Sequence, residues 1–305
     1  MQSDTLILHH YAFSPFGEKI RAMLGCGNLT WQSVHVPPQP PRPSLDPMIT
    51  GYRKSPVAQI GADLFCDTRT IATEIARLSG RSKLSPDDRD EPELLYLDHL
   101  EGPVFAACLG ALPKGMMLWK LVTTLGWGLP AFLKDRAALG AAGGLDVPSG
   151  GQAGRVWRDH LAELNTKVKS GFLGGTSPSF VDFSAYHVVW FFDLMSGSKS
   201  AEGFPALAQW QREMAKLGNG SAKVIRGEDA LAIARECEPR PVQTAREDSA
   251  LGKTVRIAPT DYGRDQTEGV LVASGESHWT IRRSTAICGD VHIHFPTRGY
   301  LMTRA

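Results

Sequence analysis

Tyr11-Ala-Phe-Ser-Pro-Phe-Gly-Glu-Lys-Ile-Arg21 decides how the first part of the chain is read. Before it, Thr5-Leu-Ile-Leu-His-His10 is an apolar run of strand length. Beyond Ser14, residues Phe16, Ile20, Met23 and Leu24 recur at helical spacing and make one apolar stripe. Pro15 takes the first helical position, where its missing N–H costs nothing. A strand that turns into a helix here leaves free N–H groups and a positive dipole end beside the Ser14 hydroxyl. Such a place stabilises an anion, a thiolate included. The same serine also reads as a helix cap, a role that its residue type favours.

Working outward, residues 1–80 read as one α/β unit. Leu29-Thr-Trp-Gln-Ser-Val-His-Val36 alternates with period two and predicts a strand parallel to the first, joined by a right-handed crossover. Pro37-Pro-Gln-Pro-Pro-Arg-Pro43 forbids regular pairing and reads as a stiff surface connector. Val57-Ala-Gln-Ile60 and Leu64-Phe-Cys66, on either side of Gly61-Ala62, predict a tight hairpin. Thr70 to Leu78 follows as a helix, with Ile71, Ile75 and Leu78 on one face.

In this order the elements resemble the thioredoxin-like N-terminal domain of cytosolic glutathione transferases. Ser14-Pro-Phe-Gly-Glu-Lys-Ile-Arg21 resembles the opening of that superfamily's first helix. Lys54-Ser-Pro-Val57 stands where the family keeps a cis-proline before its third strand, and Asp67-Thr68 where it keeps an acidic-Ser pair before the next helix. The resemblance implies glutathione as co-substrate, bound by Phe16, Arg53, Lys54, Ser55, Pro56, Asp67 and Thr68. In that picture the Ser55 backbone grips the cysteine residue of the tripeptide. Asp67 and Thr68 take its γ-glutamyl end, and Arg53 and Lys54 meet its glycine carboxylate. Asp67 and Thr68 also read as a cap. Ser14 is the candidate catalytic residue, with Tyr11 its rival at the end of the strand. A serine cannot exchange disulfides, and Gly17 removes the second thiol of a CPxC pair. What remains is a hydrogen bond that favours the thiolate, since a free thiol titrates near about 8.5.

Residues 79–90 are polar and predict a linker; 90–238 then read as an all-helical domain. Leu94, Leu97, Val104, Phe105 and Cys108 mark one helix, and Val156, Trp157, Leu161, Leu164 and Val168 another. Ser179-Phe-Val-Asp182 opens the most apolar helix with a capping-box pattern, so Asp182 is expected to serve folding. The family has that box in the same helix, so the resemblance reaches the second domain. Trp119, Trp127 and Phe132 are candidates for an electrophile pocket or, more ordinarily, for the core. Residues 245–305 depart from the family. Val255-Arg-Ile257, Val270-Leu-Val-Ala273, Trp279-Thr-Ile-Arg-Arg283 and Val291-His-Ile-His-Phe295 predict a small all-β module, packed on the helical domain or tethered to it. His292 and His294 share a strand face near Cys288, but their spacing fits no zinc pattern, and no metal is expected.

Composition bounds the function. Lys+Arg 33 against Asp+Glu 32 gives a formal charge of +1, so no global field recruits nucleic acid or an anionic membrane. Five scattered cysteines without a CxxC pair suggest reduced thiols in a cytoplasmic protein. Met-Gln-Ser-Asp before the first strand lacks the features of a signal peptide. The run from Ala185 to Met195 is too short to span a bilayer. The expectation is a thioredoxin-like domain, a helical domain and a β module. The implied activity is thiol attack on a small hydrophobic electrophile, in detoxification, by a homodimer. The alternative is a non-catalytic glutathione-binding scaffold or stress protein whose β module docks a partner.

Overall fold

β1 (Ile7–His10) turns at Ser14 into α1 (Pro15–Cys26), and β2 (Thr30–His35) returns parallel to β1 with Ile7 opposite Gln32. β3 (Val57–Ile60) is antiparallel to β1 and forms a hairpin with β4 (Asp63–Cys66). α2 (Thr68–Ser79) follows, closed by Gly80 in the left-handed conformation at φ 67. This is the expected order. The computed structural model describes residues 4–87 and 89–305, so the Met-Gln-Ser start of the chain and Asp88 of the linker lie outside the described residues.

The helical domain starts with α3 (Glu91–His99), which runs through a π-helical turn at Leu100–Val104 into α4 (Phe105–Ala111). Pro103 lies inside that wide turn, where its missing N–H removes a regular helical bond. α5 (Lys114–Leu125) and α6 (Leu129–Ala141) form a hairpin, followed by α7 (Gly150–Lys167), α8 (Phe180–Ser196) and α9 (Pro205–Lys216). Lys114–Ala141 is long and apolar enough by composition to cross a membrane, although it is interrupted at Gly126–Gly128. Phe132 packs inward, but Trp119 is half exposed and Trp127 fully exposed, so these two belong neither to core nor to pocket. Asp182 is fully buried at the start of α8. It accepts from the N–H groups of Leu173 (2.7 Å), Gly174 (2.9 Å) and Ser179 (2.9 Å) and from Trp210 Nε1 (3.0 Å).

Two features depart from the expected layout. The stretch 91–237 is not helical throughout, because β5 (Ser221–Val224) pairs parallel with β2 before α10 (Gly227–Glu236). Left-handed glycines at 218 and 220 end the helical path there, and four residues are too few to carry a helical stripe. The C-terminal strands are β6 (Thr254–Pro259), β7 (Thr267–Ser274), β8 (His278–Thr285), β9 (Gly289–Pro296) and β10 (Tyr300–Arg304). They are not chiefly mounted on the helical domain. β9 pairs parallel with β4, Asp63 opposite His292 and Phe65 opposite His294, giving one ten-stranded sheet ordered β10-β6-β7-β8-β9-β4-β3-β1-β2-β5. The physical reason is that β4 is buried on both faces, and without β9 it would be an open, apolar edge. Val57, Leu64 and Cys66 share one core with Leu271, Ile293 and Phe295. Toward the helices, Arg298 makes ionic links to Asp98 and Glu91, and Ala234 of α10 joins the shared apolar core. β10 carries mostly exposed residues, so no apolar alternation announces it.

Candidate functional site

Two adjoining cavities open where α1, the loop before β3, α2 and the C-terminal strands meet. The smaller, about 70 Å³, is lined by Phe16, Tyr52, Lys54, Ser55, Pro56, Asp67, Thr68, Glu101, Asp261 and Tyr262. The larger, about 430 Å³, is mostly apolar, with Tyr11, Phe13, Phe105, Met117, Leu121 and Phe132 among its walls. Phe16, Lys54, Ser55 and Tyr262 border both. Six expected residues from three separate stretches therefore meet at the small cavity: Phe16, Lys54, Ser55, Pro56, Asp67 and Thr68. Tyr11 and Arg53 line the larger one, and Ser14 lines neither. A third cavity of about 620 Å³, beyond α2, holds none of the expected residues.

Ser14 is the cap of α1. Its Oγ accepts the Gly17 N–H at 3.0 Å, and the side chain is covered, the residue being 1 % exposed. Among the described residues its hydroxyl hydrogen has no acceptor. Arg21 ties this turn together, donating to the Ala12 carbonyl (2.9 Å) and to Glu18 (2.7 Å). The Tyr11 ring packs on Phe13 with centroids 4.8 Å apart. The Ser55–Pro56 bond is cis, and Ser55 Oγ is buried without a partner among the described residues.

The loop that presents Ser55 is splinted from beneath by Arg42. This buried guanidinium donates to the carbonyls of Pro37 (3.2 Å), Arg53 (2.8 Å) and Lys54 (3.2 Å). The proline-rich segment is thus more than a surface connector, and Pro38 and Pro40 form part of the larger cavity's wall. Arg53 is paired with Asp135 of α6. Lys54 Nζ donates to both carboxylate oxygens of Asp261, at 2.7 and 2.9 Å.

Asp67 caps α2 by accepting the Arg69 N–H at 3.1 Å, and its other oxygen accepts the Tyr300 hydroxyl at 3.1 Å. Its φ of 77 is a conformation that non-glycine residues rarely adopt, held here by those two bonds. Thr68 Oγ1 accepts from the fully buried Lys19 Nζ at 3.1 Å, and Lys19 also donates to Glu101 at 2.5 Å. Burial alone would raise Glu101. The nearby Lys19 and Arg69 charges, with the Lys19 hydrogen bond, outweigh it and hold the carboxyl at about 2. Burial pulls Lys19 down, and the Glu101 charge offsets part of that pull. Burial pushes the phenols of Tyr52, Tyr262 and Tyr300 up, so they remain neutral donors.

Sequence reasoning missed Arg42, Glu101, Asp261, Tyr262 and Tyr300. Arg42 had a signal, a lone cation inside a proline run. The other four come from distant parts of the chain and have no local pattern that points to the cavity. His294 hydrogen-bonds Asp63 (2.8 Å) and Thr280 (3.0 Å). Cys288 is buried in the C-terminal core. Among the described residues no group of three or more such side chains is arranged to hold a metal.

Chemically, the small cavity offers one ammonium, carboxylates, hydroxyls and the backbone at Ser55, a set suited to a short zwitterionic peptide. The larger cavity offers an apolar volume within reach of the same point. The glutathione S-transferase N-terminal domain family matches residues 8–83, and the glutathione S-transferase C-terminal domain family matches residues 152–212. A GST-like protein from Pseudomonas syringae is similar over 99 % of this chain and 100 % of its own, with 27 % identity and a TM-score of 0.79. A glutathione S-transferase from Sinorhizobium meliloti is similar over 69 % of this chain and 87 % of its own, at 16 % identity and TM-score 0.47. Rice GST1 in complex with glutathione is similar over 74 % of this chain and 94 % of its own, at 18 % identity and TM-score 0.42. Comparison with curated proteins gives no match.

Proposed function

The chain belongs to the glutathione S-transferase superfamily, and from that premise we propose that it is a glutathione-dependent transferase acting on a small hydrophobic electrophile. The observation that carries this reading is the convergence of Phe16, Lys54, Ser55, Pro56, Asp67 and Thr68 on one small polar cavity that opens into an apolar one. The tripeptide lies along the Ser55 backbone, its ammonium toward Asp67 and its sulfur at the junction with the larger cavity. There the amino end of α1 favours the thiolate. The thiol proton leaves to water. The sulfur lone pair then forms a C–S bond to the electrophile held by Phe13, Met117, Leu121 and Phe132, and a leaving group departs with its electron pair.

Ser14 orders this helix end through its Gly17 bond, and its hydroxyl hydrogen has no acceptor among the described residues. Its role is to donate to the sulfur once the ligand has parted the cover above it. Tyr11, already on the wall of the larger cavity, is the rival donor. Conjugation of a chlorinated nitroaromatic separates them. Ser14→Ala is expected to lower kcat/KM by about a hundredfold, an effect of the size that general hydrogen-bond catalysis supplies. If Ser14→Ala conjugates at the parent rate while Tyr11→Phe does not, Tyr11 is the donor.

A second reading has its own support, the small volume of the polar cavity. It is a glutathione-binding scaffold without turnover, in which the C-terminal strands meet a partner. Binding of glutathione with no conjugation of any electrophile would favour it. We also infer a cytoplasmic homodimer. Five free cysteines fit a reducing compartment, and sizing of the pure protein tests the dimer.

A further inference from the structure

We propose that Asp261, in the connection between β6 and β7, determines which thiol ligands the small cavity accepts. This inference deepens the reading of that cavity as a glutathione site and rests on it. The lining carries one cation, Lys54, against three carboxylates, Asp67, Glu101 and Asp261. Glu101 is spent on Lys19 and lies within 3.7 Å of Arg69. Asp67 is held by the Arg69 N–H and the Tyr300 hydroxyl. Lys54 is therefore the one cation among the described residues of this lining that can receive a ligand's carboxylate, and the Asp261 carboxylate already occupies it with both oxygens, at 2.7 and 2.9 Å.

The pair is built to be exchanged. The Lys54 side chain is 13 % exposed and lies over the rings of Tyr262 (4.8 Å) and Tyr300 (5.5 Å), whereas the Asp261 side chain is 46 % exposed. The ammonium is fixed among aromatic faces; the carboxylate can turn to water. Gly263, at φ 64, and the bond from Arg264 Nε to the Asp261 carbonyl (2.9 Å) shape the turn that carries it. A cavity of about 70 Å³ is also well below the roughly 300 Å³ of an ordinary ligand site. Binding a tripeptide thus requires the wall made by Asp261 and Tyr262 to yield.

The chemistry of the ligand sets the selectivity. Glutathione has a single ammonium, on its glutamyl end, and Asp67 is the acceptor for it. The glycine end carries only a carboxylate, which must compete with Asp261 for Lys54. A thiol peptide whose glycine end is an ester or amide leaves the Lys54–Asp261 pair intact and avoids that competition. The geometry therefore favours thiol ligands that are uncharged at the glycine end.

Isothermal titration of the full chain with glutathione and with its glycine ethyl ester tests this. The parent protein is expected to bind the ester at least as tightly as the free acid. Asp261→Asn frees Lys54 and is expected to tighten glutathione about five- to tenfold, while the ester changes by less than about twofold, so the preference inverts. Lys54→Met should abolish the difference between the two ligands. A melting curve equal to the parent's confirms that Asp261→Asn is folded, and Asp261→Ser serves as a second variant if it is not. Equal effects of Asp261→Asn on both ligands, or none on either, overturn the role of Asp261 and leave the glutathione site standing. Failure of both ligands to bind parent and variants alike overturns the glutathione reading and this inference with it.

Discussion

β5 and the β6–β10 group extend opposite edges of one sheet, on very different terms. β5 pairs with β2 along four residues, all of them exposed, and beyond the backbone ladder it covers little. β9 pairs with β4 and is buried along most of its length. Behind it, Leu271, Ile281 and Phe295 complete a core with Val57, Leu64 and Cys66 of the first domain. The same group of strands sends Asp261 and Tyr262 to the small cavity and the Tyr300 hydroxyl to Asp67 on its wall. Backbone pairing is equivalent at the two edges; what differs is the apolar face and the polar groups that each brings. The C-terminal strands are thus a structural part of the glutathione-transferase-like domain and of the wall of its small cavity.

The hardest test of that contrast is removal. A chain ending at residue 240 keeps β5 but leaves β4 as an open edge and uncovers Val57, Leu64 and Cys66. It is expected to be insoluble or to melt without cooperativity. A soluble fragment with a cooperative transition near the full chain's would make β6–β10 an appendage. A smaller but sharp break is Asp63→Ala. This buried carboxylate joins the two regions, accepting from His294 (2.8 Å) and the Arg240 N–H (2.9 Å) and lying 3.4 Å from the Arg240 guanidinium. Loss of about 3–5 kcal/mol in denaturant unfolding is expected, because His294 Nε2 and the Arg240 N–H lose their buried acceptor.

Acid probes both parts of the molecule, since burial also lowers His278 and His292 of the C-terminal strands. Burial, joined at His10 by the Arg21 charge, lowers His9 and His160 to about 4 and His10 and His187 to about 3, from an ordinary 6.5. These rings take up protons more readily when unfolded, so the stability they contribute is full above about 6.5 and is lost as pH falls toward their folded values. Each costs about 1.4 kcal/mol per unit of pH within that window. Glu101, held at about 2 against an ordinary 4.5, adds a further loss below 4.5. Melting temperatures should therefore fall from pH 6.5 downward, and a flat profile between 6.5 and 4.5 would contradict these neutral rings. At the small end, Val224→Thr on β5 should shift stability by under about 0.5 kcal/mol, since the side chain is 66 % exposed.

The same contrast explains what the sequence made legible. The first domain and the opening of α8 could be read because each signature is local: Ser14 caps its own helix, Asp67 its own, and Asp182 sits three residues from Ser179. Four of the five C-terminal strands were legible from their alternation. Their place beside β4 was not, because the pairing of Phe65 with His294 spans more than two hundred residues and leaves no periodic trace. For the same reason Asp261 and Tyr262, in the connection between β6 and β7, carry no local sign that they wall a site. Arg42 was hidden by its surroundings, since a proline run usually lies on the surface, whereas here it folds over a buried guanidinium.

The most direct test is the titration of bound glutathione on the full chain, followed by thiolate absorbance against pH. A thiol seated at the amino end of α1 should deprotonate one to two units below the free value of about 8.5. A bound thiol that titrates like the free one would show that this helix end does not activate the sulfur.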